Sequence, residues 1–229
     1  MQRILIASSN PKKLAELRAL CAELPVELLG PDALAGALPE VDEDGETFLD
    51  NAAKKALAFA EVAAAELGEE VWALADDSGL CVDALDGAPG VHSARFSVET
   101  PAADGSTQPE DAGRDRVDPA NNALLLEKLA GLPESERGAA FRCVIAVAGQ
   151  GQLLFAVEGE VRGRILDHQT GQAGFGYDPL FFHPPSGCTF AELDAAAKAA
   201  VSHRGEAVHR LREVLLTVLP AEPATRSDA

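Results

Sequence analysis

Apolar residues follow two rhythms along this chain. Nearly unbroken apolar runs at Arg3–Ala7, Val71–Ala75, Ala139–Ala148 and Leu153–Val157 predict buried β-strands. Elsewhere they recur at helical spacing. Leu14, Leu17, Leu20, Cys21 and Leu24 form one apolar stripe, and Leu124, Leu125 and Leu129 form another. An alanine-rich segment from about Thr47 to Leu67 and a leucine-rich one ending at Leu219 complete the helices. Punctuation agrees with this division. Asn10-Pro11, Asp118-Pro119 and Ser202 suit helix starts, while Gly68, Gly131 and Pro220 suit helix ends. Gly149-Gln-Gly-Gln152 lies between two strand-like runs and predicts a hairpin, whose second arm continues from Glu158 to Ile165. Val26 to Pro39 reads as a strand followed by loop. Ser97 to Asp118, rich in Gly, Pro and Asp, reads as a surface loop, and 220–229 as a disordered tail.

A chain of 229 residues builds one domain, here 1–219, or two closely packed lobes. Charge narrows the function classes. Nineteen Lys and Arg oppose 37 Asp and Glu, a formal net charge of −18, so the mean field repels polyanions and nucleic acid is not an expected partner. No apolar run is long enough for a membrane span and no signal segment opens the chain. Cys21, Cys81, Cys143 and Cys188 stand far apart without a Cys-x-x-Cys pair, which fits reduced thiols in a cytoplasmic protein rather than a zinc site.

Candidate chemistry begins where the Val71–Ala75 run meets Asp76, Asp77, Ser78 and Gly79. Neighbouring strand residues face opposite sides, so one acid is free to hold a divalent cation while the other orients a lysine or water. Capping of a turn is the alternative role for the same two acids. The glycine-rich turn that follows leads to Arg95, and an acidic strand end, a glycine turn and an arginine together suit the binding of a metal-bound phosphate ester as substrate. A second candidate is the turn Ser8-Ser9-Asn10-Pro11-Lys12-Lys13, which enters the first helix with backbone donors at its start. An anion there would turn two awkwardly placed lysines into favourable ones. The acidic knot Glu40–Glu46 supplies further carboxylates to complete a metal shell. Aromatics offer a third clue. The chain has nine Phe and one Tyr, and four of these ten lie between 175 and 182. Glycines either side of Phe175 would let its ring lie against a nucleobase, with Asp178 near the base edge. His203 and Arg204, at the start of the last helix, are placed to hydrogen-bond a carbonyl or phosphate oxygen.

Ser9-Asn10 with Lys13 and Glu16, Asp76-Asp-Ser-Gly-Leu80, Gly87-Ala-Pro-Gly90 with Ser93-Ala-Arg95, Phe175-Gly-Tyr-Asp-Pro179 and Ser202-His-Arg204 together resemble the Ham1/inosine triphosphatase family. The motifs keep the family's order from Ile4 to about Leu219. The resemblance implies an α/β fold: an elongated, mixed, twisted β-sheet flanked by helices, in two lobes with a central nucleotide-binding groove, and a homodimer. It implies hydrolysis of ITP, dITP or XTP to the monophosphate and pyrophosphate with magnesium. By the same resemblance, Asp77 is general base and magnesium ligand, and Glu43 is the second metal residue. Ser8 to Lys13 hold the triphosphate, with Lys13 the main cation, Lys55 and Asp76 support the site, and Ser78 contacts the substrate. Phe175 stacks on the purine, in a pocket shaped by Gly176, Tyr177 and Asp178. Lys198, His203 and Arg204 read the oxygen at the purine 6-position. The segment from Ser97 to Asp118 is longer than the family usually shows. A pyrophosphatase for dUTP, dTTP or a modified pyrimidine, and a nucleotide sensor without turnover, are the competing expectations.

Overall fold

The computed structural model describes residues 1–8, 10–109 and 113–219, Arg114 by its backbone alone. Ser9 and the 220–229 tail therefore lie outside the described residues. In chain order the elements are β1 (Gln2–Ile6), α1 (Pro11–Leu20), β2 (Val26–Leu29), α2 (Phe48–Leu67), β3 (Trp72–Val82), α3 (Phe96–Glu99), α4 (Arg114–Lys128), β4 (Gly138–Gly149), β5 (Gln152–Ile165), β6 (Phe181–His183), β7 (Cys188–Thr189), α5 (Ala195–Val201) and α6 (His203–Val218). One seven-stranded sheet in the order β2-β1-β3-β4-β5-β6-β7 runs through the molecule. β1 is parallel to both β2 and β3, and the pairs from β3 onward are antiparallel. This is the mixed, helix-flanked α/β sheet expected.

Helices cover both faces. On one, α2 sets Ala52, Ala56, Phe59, Ala60 and Ala63 against Leu5, Ala73, Ala75, Val144, Ala146 and Ala148, and its small side chains let helix and sheet approach closely. A reciprocal capping box starts α2: Thr47 N–H donates to Asp50 and Asp50 N–H donates back to the Thr47 hydroxyl. On the other face, Ala207, Val208, Leu211 and Leu215 of α6 pack with Cys21 and Leu24 onto Ile4, Leu74, Cys143, Ile145 and Val147. A third cluster, at the far end of the sheet, joins Leu80, Val82, Ala139 and Phe141 to Leu124, Leu125 and Leu129 of α4 and to Phe181 and Phe190.

Three expectations change. The α1 stripe ends its helix at Leu20, and Cys21–Glu23 form a separate 3-10 turn. The segment 97–118 is not all loop: it contains the end of α3, and α4 begins at Arg114, so Pro119 lies inside the helix rather than at its first position. Buried Val117 extends the stripe of Leu124 and Leu125 by two turns, and packing of that stripe outweighs the one backbone hydrogen bond a proline forfeits. Finally, β3 does not stop at Asp76 but continues to Val82. Its ladder with β4 runs unbroken from Ala73–Ala148 to Val82–Ala139, which satisfies the backbone of the polar residues on that side.

On β3's other side the pairing with β1 ends at Leu74. Further along, that edge is closed again by the turn Gly90–Arg95, where Leu80 N–H donates to the Ser93 hydroxyl at 2.9 Å and Cys81 bridges to Pro89. The stretch between, Asp76 to Gly79, opens into a groove. Gly79 permits the turn to come this close: a Cβ there would stand 2.3 Å from the Gly90 carbonyl oxygen and 2.5 Å from Ser93 Oγ. Backbone cannot give way as a flexible side chain does, so Gly79→Ala is expected to cost about 1–3 kcal/mol in a urea titration. An unchanged midpoint would mean the turn is free to retreat.

Candidate active site

Adjacent positions on β3 send Asp76 and Asp77 into opposite layers. Asp76 faces α1 and α6 and is 2% exposed. Its Oδ2 receives Lys13 Nζ at 3.1 Å, Arg204 Nη2 at 3.1 Å and Nε at 3.3 Å, and the Ser78 hydroxyl at 2.8 Å. Burial opposes its charge, yet Lys13 and Arg204 outweigh burial and hold the carboxyl far below the usual carboxylate range. Arg204 also donates to Glu16 at 2.7 Å and to Ser78 Oγ at 3.1 Å. Four of its five N–H groups are thereby engaged within the protein.

Asp77 faces α2. Its Oδ1 pairs with Lys55 Nζ at 3.0 Å, and its Oδ2 lies 3.5 Å from Asn51 Nδ2. Lys55 and Asn51 are one helical turn apart, so one face of α2 addresses both carboxylate oxygens. Lys55 simultaneously pairs with Glu43 at 3.2 Å. Burial raises the Asp77 pKa above the ordinary carboxylate value despite Lys55 and Lys13. Glu43 is only half-buried, and the same two lysines outweigh its partial burial and lower its pKa. Two carboxylates on one lysine are thus pushed apart, one kept charged and one given greater affinity for a proton.

The loop carrying Glu43 is held from two sides. Arg95 donates to the Glu43 carbonyl at 2.7 Å and is itself ion-paired with Glu99. Asn51 Oδ1 accepts from Gly45 N–H at 2.8 Å. Of the nearby acids, Asp42 is exposed and Asp44 pairs with Lys54. Among the described residues no cluster of three or more metal-type side chains exists. Glu43 and Asp77, joined through Lys55, form the acidic pair that suits a hard divalent ion, since magnesium takes one or two protein carboxylates and leaves its other positions to water and phosphate.

At the other end Phe175 is half-buried. Its N–H donates to Asp178 Oδ2 at 2.8 Å, and Lys198 Nζ reaches the same oxygen at 2.7 Å while standing 4.8 Å from the Phe175 ring centre. Burial raises the Asp178 pKa against the pull of Lys198. His203 is buried and stacks on Phe141 with ring centres 4.8 Å apart. Burial first, and then Arg204 and Lys198, keep its imidazole well below its usual pKa and hence neutral at pH 7.

These groups line one cavity of about 1060 Å³. Ser8, Asn10, Lys13, Glu43, Lys55, Asp76, Asp77, Ser78, Arg95, Phe175, Gly176, Tyr177, Asp178, Lys198, His203 and Arg204 all face it. Pro11 and Lys12 do not; both are exposed, because successive helix positions turn about 100° and only Lys13 points inward. The donors expected at the start of α1 are also altered. Asn10 Oδ1 accepts from the N–H of Lys12 and of Lys13, so the turn meets an anion mainly through the Lys13 ammonium. Arg95 touches the Glu43 main chain, and Tyr177 is buried with its hydroxyl on the Ser93 carbonyl at 3.0 Å. The sequence did not single out Asn51. Its one signal was a polar side chain four residues before Lys55 in an alanine-rich helix.

Comparison with known proteins places this geometry. The profile of the Ham1 family matches residues 4–214. The chain is 49% identical to a dITP/XTP pyrophosphatase of Anaeromyxobacter sp. (strain Fw109-5), covering 93% of this chain and 96% of that one. It is 46% identical to a dITP/XTP pyrophosphatase of Geobacter sulfurreducens, covering 94% and 97%. Among solved structures, a HAM1 protein from Coxiella burnetii superposes with a TM-score of 0.76 at 34% identity, covering 95% of this chain and all of the other. An open α/β sheet with paired acids in a groove at a strand edge defines the class. The chain belongs to the Ham1 family.

Asp76→Asn leaves Arg204 and Lys13 facing a neutral amide in the interior, and a loss of about 3–5 kcal/mol is expected in urea unfolding. The folded pKa of Asp76 lies below its unfolded value of about 3.9. Its contribution is therefore complete above that pH and is lost as pH falls below it. Stability measured from pH 6 down to pH 2 should fall more steeply for the native chain than for Asp76→Asn. Parallel curves would show that Asp76 is not the group held ionised.

Proposed function

We propose that this chain hydrolyses ITP, dITP and XTP between the α- and β-phosphates, releasing the monophosphate and pyrophosphate. One observation carries this: a single cavity sets Lys13, Asp77 and Glu43 at one end and Phe175, Lys198 and His203 at the other. It is thus cationic and acidic where phosphates and a metal would lie, and aromatic where a base would lie. The 49% and 46% identical relatives are named dITP/XTP pyrophosphatases, which supports this reading.

Lys13 meets the phosphate oxygens and stabilises the charge that gathers on the departing pyrophosphate. Asp77, its proton affinity raised by burial and its orientation set by Lys55 and Asn51, accepts the proton of the attacking water. The water oxygen bonds to the α-phosphorus as the bond to the bridging oxygen breaks. Magnesium, when held by Glu43 and Asp77, would neutralise phosphate charge. Arg95 and Asn51 keep Glu43 in place.

At the base end, the Lys198 ammonium has donors only. It pairs well with a 6-keto oxygen and badly with a 6-amino group, and an unpaired buried donor costs about 1–3 kcal/mol. Neutral His203 adds a ring nitrogen to the same wall. Arg204, engaged by Asp76, Glu16 and Ser78, braces that wall. A homodimer in the cytoplasm, as in the family the motifs resemble, completes the proposal; light scattering after size exclusion checks the assembly.

Pyrophosphate release from a panel of triphosphates tests the activity. ITP, dITP and XTP should exceed ATP, dTTP and dUTP, and a chelator should abolish turnover. Asp77→Asn should retain ITP binding while kcat falls roughly 10²- to 10⁴-fold. Preference for dTTP or dUTP would falsify the purine pocket, and full activity in chelator would remove the metal.

A further inference from the structure

The base-stacking loop does not hold itself. Gly174 and Gly176, either side of Phe175, both lie in the left-handed region, at φ 76° and 62°. Glycine enters that region without steric cost and leaves it as readily, so the direction of the Phe175 ring depends on what fixes the neighbouring peptide groups. Asp178 takes the Phe175 N–H. The groups of Gly176 go to α4: its N–H donates to Asp118 Oδ2 at 3.1 Å, and its carbonyl accepts from Asn122 Nδ2 at 2.9 Å. Asp118 and Asn122 are one helical turn apart, so a single face of α4 grips both poles of one residue.

The same helix reaches the other end of the cavity. Asn121 accepts from Ser97 N–H at 2.8 Å and donates to the Ser93 carbonyl at 3.2 Å. Ser93 in turn closes the edge of β3 at Leu80, three residues past Asp77. Hydrogen bonds and the α4 backbone therefore link the acid-bearing strand, through Ser93 and Asn121, to Gly176 beside Phe175. Asn122 also has a buried Oδ1 with no hydrogen-bond partner among the described residues. Burying an acceptor without a donor costs stability. What the amide supplies in exchange is its hold on Gly176.

We infer that Asn122, with Asp118 beside it on the cavity wall, is a positioning residue that sets the Phe175 ring, and with it the distance between base and phosphate subsites, so that Asn122 governs purine affinity and discrimination without touching the nucleotide. This deepens the proposed pyrophosphatase activity and rests on it. Asn122→Leu removes the donor from the half-buried Gly176 carbonyl and at the same time relieves the unpartnered oxygen; the two effects oppose each other, so its melting temperature should stay close to that of the native chain. Its KM for ITP should rise roughly tenfold, the size of one lost hydrogen bond, with kcat at saturation changed less than twofold. Because ATP pairs poorly with the base wall, its kcat/KM should fall less, narrowing the ITP-over-ATP ratio. Asn122→Asp sets a carboxylate against the Gly176 carbonyl and should raise KM further. It also serves if the leucine variant does not fold. A native enzyme with no preference for ITP would overturn the underlying activity. A native enzyme that prefers ITP, with variants whose KM and ITP-over-ATP ratio are unchanged, would overturn the positioning role alone. A fall in melting temperature without a KM change would overturn it too.

Discussion

The structure depends on desolvating two adjacent carboxylates and answering each from a different layer. Burying one carboxylate without a partner is prohibitive, and burying two side by side would double the penalty. β3 solves this with strand geometry. Alternation sends Asp76 to the layer of α1 and α6, where Lys13 and Arg204 wait, and Asp77 to the layer of α2, where Lys55 and Asn51 wait. The sheet between them gives each carboxylate its own contact partners, while Lys13 and Lys55 stand close enough to act on both. Because β1 ends at that level, both side chains still reach a common groove round the exposed edge.

From that arrangement the division of labour follows. Asp76 accepts three hydrogen bonds and the Lys13 ion pair on one oxygen and stays ionised. It ties together the two terminal parts of the chain, α1 and α6, at the floor of the cavity. Asp77 has fewer partners and a raised pKa, which suits proton exchange. Glu43 comes from a loop with no regular structure of its own, so it needs Arg95 and Asn51 as fasteners. Its position is as dependent on these neutral or remote groups as on the lysine it pairs with.

The end of the cavity proposed to take the base follows a different logic. There Phe175 sits on a glycine-flanked turn, and its rigidity is borrowed from α4 and from the buried Asp178–Lys198 pair. A helix that begins earlier than its Asp-Pro signal suggests gains the turn that carries Asp118 beside Asn122. The long segment before α4 folds back onto this helix, with Ala103 N–H on Glu127 and Lys128 on the Pro101 carbonyl.

Much of this was legible in the residues alone. Apolar runs, capping signals and the Gly-Gln-Gly hairpin located most strands and helices, because local backbone chemistry decides them. The acids, Lys13, the Phe175 turn and the Ser202-His-Arg204 cap were visible as unusual chemistry at predicted element ends, and the family resemblance joined them. Tertiary structure alone decided the rest. β3 continues past its polar residues because β4 pairs with it, and no local propensity reports a partner some 70 residues away. Which lysine turns inward, which acid of 40–44 approaches Asp77, and that Arg204 serves Asp76 are matters of distance between elements. Asn51, Asn121 and Asn122 acquire meaning only from the backbone groups packed against them.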